Sequence, residues 1–156
     1  ARRVVIAASE DVGNADPTAL SVATAAAHAV EYVGMPEAQI SLAQAVTYLA
    51  SAPKSNASYA ALNDARAYVR ENRPHPVPLH LRNAVTGLQR SLGHGEGYQY
   101  AHDADDGYVP QRHLPEDMDD VMFYHPKEIG EERAIRGRLA EWRGRKSRDQ
   151  EEPDST

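Results

Sequence analysis

"SEDVGNADPTALSVATAAAHAVEYVG", residues 9–34, carries the reading on which the rest depends. Glu10, Asp11 and Asp16 crowd three carboxylates around Gly13 and Pro17, a composition open to a metal or phosphate site. Local backbone chemistry favours a corner between two helices. Val4–Ala8 looks like the end of one helix, and Gly13 or Asn14 can supply the left-handed residue that terminates it. Asp16 is placed to cap the next helix, with Pro17 at its first position, where a missing N–H costs nothing. From Pro17 to Val33 apolar residues recur on two faces, Leu20, Ala23, Ala27 and Val30 on one and Ala19, Val22, Ala26, Ala29 and Val33 on the other. Two apolar faces predict a helix that is mostly buried. Gly34 closes it.

Further helices follow. Ser41-x-x-Gln44 matches a capping box opening a second helix, with Leu42, Ala45, Val46 and Leu49 inward and Pro53 ending it. Ser55 can cap a third, with Tyr59, Leu62 and Val69 on one face. Arg66, Arg70 and Arg73 gather toward its C-terminus, where the helix dipole favours cations. "RPHPVPLH", residues 73–80, must be extended, since three prolines restrict themselves and their neighbours. A fourth helix is expected from about Asn83 to Leu92, with Leu81, Val85, Leu88 and Leu92 in register. Residues 93–128 show no period and predict a long, tyrosine-anchored irregular segment with a short turn near Pro115–Asp119. A last helix is expected over Ile129–Arg145, with Ile135, Leu139 and Trp142 inward. The chain reads as all-α, one domain over residues 1–146 and a disordered tail over 147–156.

Composition sets the class. The chain has 156 residues, 41% hydrophobic and 26% charged, as a single globular domain would. No apolar run approaches the roughly 20 residues of a membrane span, and residues 1–6 lack a signal-peptide layout. No membrane partner is expected. Without cysteine there are no disulfides or thiolate metal sites, which suits a reducing cytosol. The absence of an initiator methionine suggests a fragment of a longer chain. Net charge is −6, but Arg133, Arg136, Arg138, Arg143, Arg145, Lys146 and Arg148 face one acid, Glu141, within their span. That window is +6 and the remainder −12. A solvated helix face explains it, and so would local phosphate binding.

The chemical motifs are weak. "GHGEGY" (93–98) follows a helix rather than a strand, so it is not a dinucleotide loop, and no P-loop occurs. Ser51-Ala-Pro-Lys54 has Pro53 between a would-be nucleophile and base and lacks the companion motifs. "DADDG" (103–107) has its glycine one place early for an EF-hand and Leu114 at the bidentate position. Seven histidines show no zinc spacing. His80 beside Arg82 and Asn83 has no evident nucleophile. Neither a catalytic, a cofactor-binding nor a metal site is expected in this chain.

Four stretches carry a resemblance: "ASEDVGNADP" (8–17), "AQAVTYLASAPKSNASY" (43–59), "VPLHLRNA" (77–84) and "GYQYAHD…GYVPQRHLP" (97–115). In order and spacing they resemble the C-terminal region of the replication-associated recombination protein A family. It is also called maintenance of genome stability protein A, or Werner helicase-interacting protein in animals. The resemblance spans roughly residues 2–143. It implies the C-terminal domain of an AAA+ ATPase that acts at stalled forks, in recombination and in DNA repair. The fold implied is a helical, collar-like domain similar to that of clamp loaders. ATP and magnesium would bind in an N-terminal part of the parent, and this domain would assemble the parent into a homotetramer. DNA at replication forks, and replication proteins such as single-strand-binding protein, would be partners of the whole, in a cytoplasmic, nucleoid-associated setting. By carry-over, Ser9, Glu10, Asp11, Gly13 and Asn14, then Lys54, Ser55 and Asn56, then His80, Leu81, Arg82 and Asn83 take structural or interface roles. The sequence departs from the family at Val85-Thr86-Gly87-Leu88-Gln89-Arg90, where relatives usually read Pro-Thr-Lys-Leu-Met-Lys. Gly87 removes a lysine and weakens that helix by about 1 kcal/mol relative to alanine.

Three functions follow: a non-catalytic oligomerisation module, a DNA- or replication-protein-binding module, and a small enzyme at His80 and Arg82. The second would use Arg133, Arg136, Arg138, Arg143, Arg145 and Lys146, with Arg66, Arg70 and Arg73.

Overall fold

A computed structural model describes residues 1–118 and 120–151, with residues 145–151 described by their backbone alone. Every regular element among them is helical: α1 (Arg2–Ala7), α2 (Thr18–Tyr32), α3 (Ala38–Ser51), α4 (Ala57–Glu71), α5 (Gly87–Ser91) and α6 (Glu132–Glu151), with short 3-10 turns between. The chain divides into two compact units, Ala1–Arg70 with Met122–Arg138, and Glu71–Val121 with the chain from Leu139 on.

The first unit is built around the corner at residues 9–17. Helix α1 widens at its end into a π-helical turn over Ala8–Val12, and Gly13 breaks it at φ +53°. Asp16 is extended, and its Oδ1 accepts from the Thr18 backbone N–H at 3.1 Å, so it caps α2 as its position predicts. Its Oδ2 accepts from the Tyr48 hydroxyl at 2.7 Å, pinning the start of α2 to the last turn of α3. Gly34, at φ +80°, follows the end of α2.

Small residues dominate the interior. Among the described residues eight of the ten buried hydrophobic ones are alanine, Ala8, Ala15, Ala19, Ala23, Ala26, Ala38, Ala45 and Ala57, joined by Val12 and Leu49. Alanine faces let helix axes approach at the short end of the usual 8–10 Å range. Helix α2 therefore buries one stripe, Ala19-Ala23-Ala26, while Leu20 and Val33 of its two expected faces remain exposed.

Several expectations are corrected. Helix α3 starts at Ala38, so Ser41 lies inside it and caps nothing; the capping box of the structure is Thr86-x-x-Gln89 at α5. Val46 is exposed rather than inward. On α4, Tyr59, Leu62 and Val69 face solvent, while Ala57 is buried and Ala61, Ala65 and Tyr68 are at least partly covered. Both stripes satisfy the helical period, and the small-residue one permits the closer approach. Tyr68 meets Phe123 edge to face, centroids 5.6 Å apart. The fourth helix shrinks to Gly87–Ser91, consistent with Gly87's weak propensity. The last helix starts at Glu132 and runs to Glu151, past its expected end at Arg145, since its arginines, lysine, glutamine and glutamates are good helix formers. Residues 152–156 of the expected tail lie outside the described residues.

The second unit holds the irregular segment as far as Val121, and its last residues, 122–128, belong to the first; among the described residues it has a 3-10 turn at Ala101–Asp103 and a turn closed by Met118 N–H to the Pro115 carbonyl. None of its residues with described side chains is buried. Its order comes from polar ties: the Arg112 guanidinium binds Asp120 Oδ1 at 2.9 Å and the carbonyls of Pro115 and Met118, and His75 Nδ1 lies 3.1 Å from Asp117 Oδ2. Tyr108 stacks on Trp142, 8° from parallel with centroids 5.4 Å apart, and donates its hydroxyl to the Trp142 carbonyl.

Gly130 marks where the segment before α6 joins the corner. Its φ is +53°, an added Cβ would collide with the Ala15 carbonyl oxygen, and that oxygen accepts from Glu131 N–H at 2.9 Å. A Gly130→Ala chain should lose about 3 kcal/mol of stability through backbone strain and the lost approach. Differential scanning calorimetry should show a midpoint roughly 6–12 °C lower.

Candidate functional site

The start of α4 and the stretch leading into α6 meet at one carboxyl group, and Asn14 ties the corner to it through Tyr124. Glu132, in the first turn of α6, is the largest fully buried side chain. Its Oε2 accepts from the Ser55 hydroxyl at 2.6 Å and the Lys127 backbone N–H at 2.9 Å, and its Oε1 accepts from the Tyr124 hydroxyl at 2.9 Å. Tyr124 in turn accepts from Asn14 Nδ2 at 3.1 Å, and the other Asn14 amide hydrogen reaches Ser58 Oγ at 3.1 Å. Ser55 Oγ also accepts from Ala57 N–H at 3.3 Å, so it caps α4 as expected. A buried polar group is tolerated where its partners are complete, and these are.

The first two family motifs thus come together. Gly13 is required where it stands: at φ +53° an added Cβ would sit 2.5 Å from the Ser55 carbonyl oxygen, and Ser55 N–H donates to the Val12 carbonyl at 3.2 Å. Lys54 turns its ammonium onto the Leu49 and Ala52 carbonyls, both at 2.6 Å, closing the C-terminus of α3. Asn56 Oδ1 accepts from the Lys127 ammonium at 2.7 Å. Ser9, Glu10 and Asp11 are exposed on the π-helical turn, and Ser9 only back-bonds to the Val5 carbonyl.

The third motif lies in the other unit and organises its loops. His80 Nε2 lies 2.9 Å from the Arg112 carbonyl, which can only accept, so that nitrogen carries the proton. Arg82 Nε donates to the Val77 carbonyl at 2.7 Å, and Gly95 N–H to the Leu79 carbonyl at 2.8 Å. Leu81 is half-buried and Asn83 exposed, its carbonyl 3.4 Å from His94 Nδ1. The cleft here, about 480 Å³, is lined by His80, Arg82, Asn83 and Tyr98 with small or apolar neighbours, and no serine, cysteine or acid lines it. Among the described residues no group of three or more His, Asp or Glu is placed to hold a metal ion.

On α6, the Arg133 side chain donates to the Glu128 carbonyl, and Arg136 pairs with the Glu128 carboxylate at 2.7 Å. Arg138 and Arg143 are exposed, and the side chains of Arg145 and Lys146 lie outside the described residues. No helix among the described residues is long and apolar enough to cross a membrane.

Sequence reasoning missed Tyr124, Lys127 and Glu132. Glu132 reads in sequence as an ordinary acid in a helix's first turn, where the dipole favours it. The clue available was Gly130, two residues before, which demands a close approach.

The family model for the MgsA AAA+ ATPase C terminal matches residues 1–143. Replication-associated recombination protein A of Escherichia coli is 45% identical over 141 residues, 90% of this chain and 32% of that protein. An uncharacterised AAA domain-containing protein of Mycobacterium tuberculosis is 48% identical over 139 residues, 89% of this chain and 31% of that protein. ATPase WRNIP1 of Dictyostelium discoideum is 44% identical over 127 residues, 81% of this chain and 14% of its own length. The chain therefore spans about a third, or less, of these relatives.

Burial first, and then its bond to Glu132, push the Tyr124 hydroxyl above the ordinary value of 10.0, while Asn14 works the other way. Tyr48 is also raised, first by its hydrogen bond to Asp16. Unfolded tyrosines release their protons near pH 10, whereas these two hold theirs higher in the fold. Their contribution to stability is full below that pH and is lost as pH rises through the folded values. Tyr124→Phe should cost about 1–3 kcal/mol near neutrality, by leaving Glu132 a donor short. Thermal midpoints measured from pH 8 to pH 11 should fall less steeply in Tyr124→Phe than in the parent chain.

Proposed function

Because this chain belongs to the MgsA AAA+ ATPase C-terminal family, we propose that it is the non-catalytic module through which its parent ATPase self-associates, as a homotetramer, in replication-fork maintenance, recombination and repair. One observation carries the reading. None of the second unit's residues with described side chains is buried, yet Leu88 on α5 and Leu92 one turn on, at its C-cap, are 70% and 59% exposed, and Val85 just before the helix is 78% exposed. A unit that buries so little draws little stability from its own interior, and outward apolar side chains suit burial against another subunit. Closed symmetric assembly of identical chains is the common way to supply it.

ATP hydrolysis, with its magnesium, then belongs to the part of the parent outside this chain, as does most contact with forked DNA. The nucleoid would be the place of action, and single-strand-binding protein one of the replication proteins met there. A second reading, direct DNA contact by α6, draws on its concentration of basic residues. It would rest on Arg138 more than on Arg133 and Arg136, which Glu128 already engages. It predicts affinity for duplex DNA that falls steeply with salt.

Light scattering coupled to size exclusion should give a solution mass near four times 17.1 kDa. Leu88→Asp with Leu92→Asp should bring it toward a single chain while circular dichroism keeps the helices of the first unit. A monomer for the unaltered chain at micromolar concentration would overturn the proposal.

A further inference from the structure

The outward face of α4 is the strongest feature that neither the clasp nor self-association uses. Tyr59, Leu62, Arg66 and Val69 recur at alternating steps of three and four, the spacing of a and d positions in a two-helix seam, and Arg70 flanks them at e. Tyr59, Leu62 and Val69 are 44%, 47% and 73% exposed. Ala65, Arg66, Val69 and Arg70 line a shallow groove of about 430 Å³. The helix already covers its alanine stripe and Tyr68, so this seam is its second apolar face.

Charge decides what fits it. In a chain of net charge −6, neither the Arg66 nor the Arg70 guanidinium has a hydrogen-bond or ion-pair partner among the described residues. Arg112 and Arg136, by contrast, are both paired with acids. The nearby acids Asp64 and Glu71 both fall at f, the position farthest from the seam. Twofold pairing of this face with itself would place four guanidiniums in one seam with no acid at any a, d, e or g position from Tyr59 to Arg70. Nucleic acid would leave the apolar residues between the two arginines unused. A helix with apolar a and d positions and acids beside them satisfies both features, burying the apolar groups while its carboxylates meet the guanidiniums.

We propose that the Tyr59–Arg70 face of α4 is a docking surface for an acidic amphipathic helix of another protein. Arg66 and Arg70 select the partner's charge, and Tyr59, Leu62 and Val69 supply the apolar contact. This is independent of the self-association reading, which uses a different unit.

The test is fluorescence anisotropy on the unaltered chain with a labelled three-heptad peptide carrying leucine at a and d and glutamate at e and g. Its probes for comparison are the same peptide with lysine for glutamate, and oligothymidine of similar length. Binding of the glutamate peptide is expected at about 10 μM, weakening with salt. Arg66→Glu with Arg70→Glu should weaken it roughly tenfold or more, and Leu62→Ser with Val69→Ser by a similar factor, with helix content unchanged. If the glutamate substitutions unfold the chain, Arg66→Gln with Arg70→Gln is measured instead, with the same expectation. Equal binding of the lysine peptide, tighter binding of oligothymidine, no binding of the glutamate peptide, or a change of solution mass in the arginine variants would each overturn the proposal.

Discussion

The Glu132 carboxyl group is the constraint on which the first unit depends. A fully buried acid is destabilising unless its lone pairs are met, and here three donors from Ser55, Tyr124 and Lys127 meet them. Each donor belongs to a segment that must be in place before the bond can form. The carboxyl group therefore works as a conditional contact, stabilising when the corner, the start of α4 and the segment before α6 are all present, and costly when any is missing. Asn14 extends the condition to the corner, because its two amide hydrogens divide between Tyr124 and Ser58.

Two glycines make that geometry possible. Gly13 lets the corner lie against the Ser55 carbonyl, and Gly130 lets the last loop lie against Ala15. With the backbones this close, only small residues fit between the helices, which accounts for an interior made mostly of alanine. The consequence runs outward. Leu20, Ile40, Leu62 and Val69 cannot share that interior and stand exposed on the surface.

How far the sequence could be read follows from the range of the physics involved. Asp16 as cap, Gly34 as stop, Ser55 as cap and the proline-bound stretch over 73–78 are decided within a few residues, and all were legible, though Leu79 and His80, expected extended, turn into a 3-10 helix at Leu79–Leu81. So was the irregular segment, whose lack of period is itself local. The face α4 buries was not, because Ala57-Ala61-Ala65 and Tyr59-Leu62-Val69 both keep the helical period and only a neighbour at a given distance chooses between them. The clasp was illegible for the same reason: Ser55, Tyr124 and Glu132 are joined by a fold, not by spacing. Of the three groups of residues carried over by the resemblance, Gly13 and Asn14 of the first meet the second around Ser55, and the third ties loops in the other unit.

The two units also differ in what holds them. The first has a core and a sealed polar clasp. In the second, His80, Arg82 and Arg112 tie loops through backbone carbonyls that are at most partly covered. Hydrogen bonds of this kind contribute about 1 kcal/mol each, because water competes for both partners. A handful of them cannot offset the ordering of a segment as long as Glu71–Val121, whose backbone alone costs on the order of 1–2 kcal/mol per residue. Cover for its apolar side chains would add what these bonds lack, and if another subunit supplies it, the stability of this unit becomes a function of protomer concentration. Folding of the second unit and assembly would then be a single equilibrium, with the clasped first unit as the part that persists on dilution.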